Sequence, residues 1–264
     1  MYKERFRKLL VFTLIFFIIS NIFNGPINSD PVSSKRQLEW SYFGKTGPRY
    51  WGLLDPTFIQ CTIGSMQSPI NIRTAKAIQT SGLEDISFKY TPTIFSVKNS
   101  GRTIEVVPYN EKNSVTIGTT QYHLQQIHFH HPSEHQLDNR RFPVEVHLVH
   151  QDSTGRLTVI GIWVKAGDTN NIISKILENV PKTDSKIHRI EKTIDIANLL
   201  PKQKDFFKYK GSLTTPPCTE GVEWLIFKHP IEMSKRQINK ITELFPENSR
   251  PLQPINEREV YLQK

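Results

Sequence analysis

Six of the nine histidines of this 264-residue chain lie between His123 and His147, and their spacing constrains the fold more than any other feature. In the segment Gln126-Ile127-His128-Phe129-His130, polar and apolar residues alternate. That period places Gln126, His128 and His130 on one face of a strand. The segment Glu145-Val146-His147-Leu148-Val149 does the same for Glu145, His147 and Val149. Two adjacent antiparallel strands can therefore bring three imidazoles to one point. Three neutral ring nitrogens with an open fourth position make a zinc site of the catalytic kind. Gln126 and Glu145 each precede a histidine by two residues. Either could accept a hydrogen bond from a ring, fixing its tautomer and raising ligand basicity.

A cupin site is a specific rival, because His128, His130 and Glu134 fit its H-x-H-x-x-x-E motif. A cupin also needs flanking glycines and a later H-x-x-x-N. This chain has Tyr122, Arg141 and Gln151 at those places. No G-x-G-x-x-G phosphate loop and no G-x-S-x-G elbow is present. The stretch 202–210 (KQKDFFKYK) mixes basic and aromatic residues, and is expected to be a solvated loop or strand edge. No nucleic-acid-binding motif accompanies it.

Elsewhere the pattern predicts strands at 103–107, 114–117, 126–130, 144–150 and 157–164, separated by turn residues. Apolar periodicity predicts helices at 169–180 and 234–245, the second opened by a Ser234/Gln237 capping box. No repeat or composition break divides residues 37–264, so one β-rich domain is the simplest organisation. With 37% hydrophobic and 22% charged residues, the chain is neither disordered nor collagenous. A net charge of +9 favours anions without implying nucleic acid.

Residues 1–24 have a cationic start and an apolar run at 9–19 (LLVFTLIFFII). That run is shorter than the about 20 residues a spanning helix needs. The layout is that of a secretory signal peptide, with an uncleaved anchor as the alternative. Residues 25–36 read as a tether. Export to an oxidising compartment allows a disulfide. Cys61 and Cys218 are the two cysteines, open at this point to one bridge or to two unrelated buried thiols.

The chain resembles an α-class carbonic anhydrase of bacterial, exported type over roughly residues 38–262. The matching stretches are WSY at 40–42, QSPINI at 67–72, HFHHPSEH at 128–135, EVHLVH at 145–150, GSLTTPPC at 211–218 and NSRPLQPINER at 248–258. The resemblance implies a large twisted, mostly antiparallel central sheet with a few short peripheral helices. It implies reversible hydration of carbon dioxide to bicarbonate and a proton by a zinc-held hydroxide. His128, His130 and His147 would be the zinc ligands. Gln126, Glu145 and the carbonyl of Asn248 would accept from His128, His147 and His130. Thr214 would donate to Glu134 and orient the nucleophile, with Thr215 beside it. Val149, Val159, Leu213, Val222 and Trp224 would form the apolar wall for carbon dioxide. Cys61 and Cys218 would be the disulfide of exported members, and the location periplasmic or secreted. Expected partners are carbon dioxide and bicarbonate. No nucleic acid and no membrane span in the mature chain are expected, and a homodimer is left open.

One position departs from the family pattern. Fast members carry a shuttle histidine after the N-x-G turn, whereas this chain has Arg102 after Asn99-Ser100-Gly101. Arginine does not exchange a proton near neutral pH, so slow proton release is expected. Glu105 could pair with Arg102 or relay poorly, and His123 is the other candidate carrier. Two rival functions are a binding module that has lost catalysis and an exported metal- or nucleic-acid-binding protein. The complete histidine set with Thr214 and Glu134 argues against the first, and the apolar wall against the second.

Overall fold

A computed structural model describes residues 40–80, 84–182 and 186–263. The signal and tether readings for residues 1–36 lie outside these residues. The described chain forms fifteen strands and four α-helices. The strands are β1 (Asn71–Ile72), β2 (Ile78–Thr80), β3 (Ile86–Lys89), β4 (Phe95–Asn99), β5 (Ile104–Pro108), β6 (Ser114–Ile117), β7 (Thr120–His130) and β8 (Gln136–Leu137). They continue as β9 (Val144–Gln151), β10 (Leu157–Ala166), β11 (Ile187–Arg189), β12 (Phe206–Ser212), β13 (Glu220–Phe227), β14 (Ile231–Met233) and β15 (Tyr261–Gln263). The helices are α1 (Trp51–Leu54), α2 (Gln60–Ile63), α3 (Asn171–Glu178) and α4 (Lys235–Leu244). None is long and apolar enough to cross a membrane.

The main sheet runs β11-β4-β5-β7-β9-β10-β13-β12-β15-β2, with β3, β6 and β14 attached beside it. Its centre is antiparallel from β4 through β10. Parallel pairs enter at β10–β13, β10–β14 and β15–β2. This is the mostly antiparallel sheet with few short helices that the sequence implies.

Alternation divides the central strands between two cores. Ile104 and Val106 of β5, Ile127 and Phe129 of β7, Val146 and Leu148 of β9, and Ile160 and Ile162 of β10 pack in one cluster with α3 and Ile241 of α4. The opposite face carries Val149, Val159, Trp163, Tyr209, Val222, Trp224 and Ile226. Because neighbours along a strand point opposite ways, Glu105, Gln126, His128, His130, Glu145 and His147 all belong to this second face.

The two longer helices form where the sequence predicts, each trimmed at its ends, whereas α1 and α2 are not predicted. Asn170 caps α3 by accepting from the amides of Ile172 and Ile173, and Ile172, Ile173, Ile176 and Leu177 are buried. Ser234 and Gln237 form the predicted capping box of α4. The stretch 202–210 differs from its expectation. Phe206–Ser212 is an interior strand between β13 and β15, with Phe206, Phe207 and Tyr209 buried. The lysines misled because Lys208 is tied to Glu223 and Glu84 rather than free in solvent.

His150 is fully buried beneath this sheet, its Nδ1 2.9 Å from the Leu148 carbonyl and its Nε2 2.9 Å from the Tyr90 hydroxyl. Burial drives its pKa down to about 3. The unfolded chain takes up this proton near pH 6.5, so stability from the neutral ring is complete above that pH and declines as pH falls toward 3. Between pH 6.5 and 5 the loss is about 2 kcal/mol. Denaturant titrations at both pH values should show His150→Gln losing about that much less than the wild-type chain.

Candidate metal centre

The pairing of β7 with β9 builds the centre. His128 stands opposite His147, and His130 opposite Glu145. Residues directly opposite on an antiparallel pair share a face with Cβ atoms about 5 Å apart. One ring nitrogen from each of His128, His130 and His147 therefore converges, all within 4.8 Å of one another. The ring centroids are 4.6–5.1 Å apart.

Hydrogen bonds at the far side of two rings decide which nitrogens face inward. Nε2 of His147 donates to Glu145 Oε1 at 2.8 Å, leaving Nδ1 with a lone pair only, which faces His128 Nε2 at 3.3 Å. Nδ1 of His130 donates to the Asn248 carbonyl at 2.8 Å, leaving Nε2 bare. That Nε2 is buried with no hydrogen-bond partner and lies 3.4 Å from Glu134 Oε2, which is equally unpartnered. Buried polar atoms without partners cost about 1–3 kcal/mol each. Lone pairs and a carboxylate oxygen turned toward one another need a cation among them. The residues fit a metal ion held by three imidazoles. Burial, and then the charges of His130 and His147, push the His128 pKa well below the usual imidazole value. The neutral form is the one that ligates.

Glu145 is the anchor of the arrangement. It is wholly buried, and its Oε1 accepts from both His147 and His135 Nδ1, the latter at 2.7 Å. Its Oε2 accepts from the His135 amide. Burial alone would raise the Glu145 carboxyl, but the charges and hydrogen bonds of His135 and His147 outweigh it and hold the group well below the usual carboxylate range. Gly161, opposite His147 on β10, makes room for this carboxylate: a Cβ there would sit 3.2 Å from Glu145 Oε1 and 2.5 Å from Ile226.

His135 in turn meets the Tyr209 hydroxyl at 2.6 Å, and Tyr209 meets Ser68 Oγ at 2.8 Å. The Ser212 amide donates to that Ser68 oxygen. The polarity of this chain follows from its ends: the amide can only donate and the carboxylate only accept. His135, Glu145 and His147 could hold a metal by proximity alone, but the shared oxygen already serves two N–H donors. Sequence reasoning missed His135, Tyr209 and Ser68, since contacts across 74 and 141 residues leave no local signal.

Arg250 was missed as well. Its amide donates to Glu134 Oε1 at 2.9 Å, while its buried guanidinium donates to Gln67 and to the carbonyls of Ser68 and Cys61. Cys61 and Cys218 form a disulfide with Cα atoms 5.0 Å apart.

The apolar residues expected near the histidines gather on the same face. Val149, Val159 and Trp224 stand in register across β9, β10 and β13. Val222 joins their cluster and Leu213 packs against it. The Trp224 ring lies 4.9 Å from that of His147. Its Nε1 donates to the Ser212 carbonyl, securing the start of the loop that carries Leu213, Thr214 and Thr215. Thr214 is buried and Thr215 half-buried.

Two contacts that the resemblance implies do not form, and the two alternatives raised for the proton route find other partners. Gln126 Oε1 and His128 Nδ1 are both buried and unpartnered, so neither bonds the other. Glu134 Oε2 takes no hydrogen bond from Thr214, because that oxygen turns toward His130. Arg102 does not pair with Glu105; its guanidinium stacks over the Trp40 ring at 4.6 Å. His123 lies five residues along β7 from His128, about 16 Å on an extended strand, with its ring on the Glu111 carbonyl.

A sheet face presenting three convergent imidazoles beside an apolar wall could hold a single metal ion. The family model for eukaryotic-type carbonic anhydrase matches residues 46–264. A carbonic anhydrase from Nostoc sp. is 38% identical over 261 residues, covering 98% of this chain and 96% of that protein. One from Neisseria gonorrhoeae is 40% identical over 223 residues, covering 84% and 86%. The α-carbonic anhydrase of Thermovibrio ammonificans, solved with the inhibitor sulfanilamide, superposes with a TM-score of 0.82 at 40% identity, covering 86% of this chain and 99% of that one. The chain belongs to the α-class, eukaryotic-type carbonic anhydrase family.

Replacing Glu145 by Ala leaves His147 without its acceptor. Metal affinity should fall by about 10–100-fold, as read by competition with a chromogenic chelator.

Proposed function

We propose that this chain is an exported zinc enzyme that hydrates carbon dioxide reversibly to bicarbonate and a proton, with residues 37–264 as its catalytic domain. The observation that carries the proposal is the convergence of three imidazole nitrogens beside a wall that includes Trp224. His128, His130 and His147 would hold zinc, the ion that three neutral imidazoles and an open position favour. Bound there, zinc supplies a water of pKa about 7 and hence a nucleophile at neutral pH.

The protein's own residues do the rest. Glu145 and the Asn248 carbonyl hold two ligand rings in the tautomers that ligate, and Gln126 is the nearest side-chain acceptor in sequence for the third. Val149, Val159, Leu213, Val222 and Trp224 offer an apolar rest for carbon dioxide, which needs no strong polar contact. Glu134 is pinned at one oxygen by the Arg250 amide, and its other oxygen would have to turn from His130 to accept from the Thr214 hydroxyl. Thr214 would then be left with only its lone pairs toward the reacting oxygen, and Thr215 lines the site beside it. The disulfide Cys61–Cys218 supports a periplasmic or secreted location, with residues 1–24 as the export signal.

Proton release is the weak step. Arg102 occupies the position of the usual carrier and cannot exchange a proton at neutral pH. A proton held at a site of pKa about 7 escapes to water at roughly 10³ s⁻¹ when recombination runs near 10¹⁰ M⁻¹s⁻¹. Zinc enzymes of this type with unhindered release reach about 10⁶ s⁻¹.

Stopped-flow hydration assays on the zinc-loaded protein test this. Modest turnover that climbs steeply with added imidazole is expected, and Arg102→His should raise the imidazole-free rate about 10-fold or more. Fast turnover indifferent to buffer would refute the slow release. No turnover with zinc bound would refute the enzyme itself.

A further inference from the structure

Away from the histidine centre, a cavity of about 500 Å³ opens between the chain around β1–β2 and the segment leading into β15. Arg73, Lys76 and Arg258 line it, against one carboxylate, Glu259. Glu259 already accepts a hydrogen bond from the Tyr261 hydroxyl. None of the three cations has a carboxylate within 4 Å among the described residues. Arg258 is the most constrained of them. Its guanidinium donates to the carbonyls of Ile255, Lys210 and Pro254 and stacks on the Tyr209 ring. Three of its five N–H groups are thereby used and two are left. Burial lowers its pKa, outweighing the influence of Tyr209 and Glu220, which raise it.

Beside the polar Asn71, Gln253 and Asn256, the cavity has an apolar side. Ile78, Leu252 and Ile255 line it and are 37–42% exposed. Free phosphate would satisfy the cations and leave these residues wet. A second copy of the chain would set the same cations against each other. The volume falls within the about 300–1,000 Å³ of small-ligand sites.

We propose that this cavity is a binding site for a small amphipathic anion, a carboxylate or sulfonate on an aromatic or branched apolar body. Arg73, Lys76 and Arg258 hold the charged end, and Ile78, Leu252 and Ile255 cover the body.

The probe is 8-anilinonaphthalene-1-sulfonate, titrated by fluorescence into the zinc-loaded protein with sulfanilamide present to fill the histidine cleft. One probe per chain is expected. The exposed pair Arg73→Glu and Lys76→Glu should weaken it about tenfold or more, the scale of a lost charge-assisted contact, with carbon dioxide hydration unchanged. The uncharged analogue N-phenyl-1-naphthylamine should bind about tenfold more weakly than the sulfonate. Ile255→Asn should weaken the probe while leaving the cations in place. Absence of binding, binding indifferent to the charge reversals, or equal affinity for the neutral analogue would each overturn the proposal.

Discussion

The register between β7 and β9 is the constraint on which the rest depends. Setting His128 against His147 and His130 against Glu145 gathers three rings and their anchoring carboxylate in two adjacent rows. The same rows continue across the sheet. Glu105, His128, His147, Gly161 and Ile226 stand in line, and beside them Gln126, Val149, Val159, Trp224 and Tyr209. One row carries polar chemistry and the next the apolar wall. Because side chains alternate with period two, a slip of one residue would turn every histidine into the opposite core. The irregularity between Leu124 and Gln126 marks the point past which β7 meets this register.

Within that frame, single atoms carry several duties. Glu145 Oε1 serves two histidines, so the orientation of His147 depends on a relay that ends at Ser68 and the Ser212 amide. Gly211 lets that relay close: a Cβ there would stand 2.2 Å from Ser68 Oγ. Asn248 is used several times over: its carbonyl accepts from His130, and its side chain accepts from the His131 amide and donates to the Phe129 and Arg102 carbonyls. Deep burial makes each bond worth more than its surface counterpart, and each loss more damaging.

Much of this was legible in the chain itself. Alternation alone placed the three histidines on strand faces, and capping chemistry located both longer helices. The Ser234/Gln237 box is local and so was readable. What stayed hidden depends on distance along the chain. Tyr209 sits in a lysine-rich stretch that reads as solvated, and only the charges of Glu84 and Glu223 reveal why it is buried. Arg250 carries no local signal, and the partners of its guanidinium lie more than 180 residues upstream. The Arg102–Glu105 pairing, one of two roles open to Glu105, does not form for a similar reason. Trp40, far off in sequence, offers the guanidinium an aromatic face instead.

Arg250 and Asn248 give the molecule an order of completion. A chain growing from its N terminus carries all three histidines by residue 147, yet His130 has no acceptor and Glu134 no amide until residues 248–250 exist. The same late segment reaches back to Cys61, Gln67 and Ser68, whose far partner across the disulfide is Cys218. First and last parts of the domain thus meet at the metal centre. A nascent or truncated chain that stops short of this segment holds the ligands without the frame that aims them.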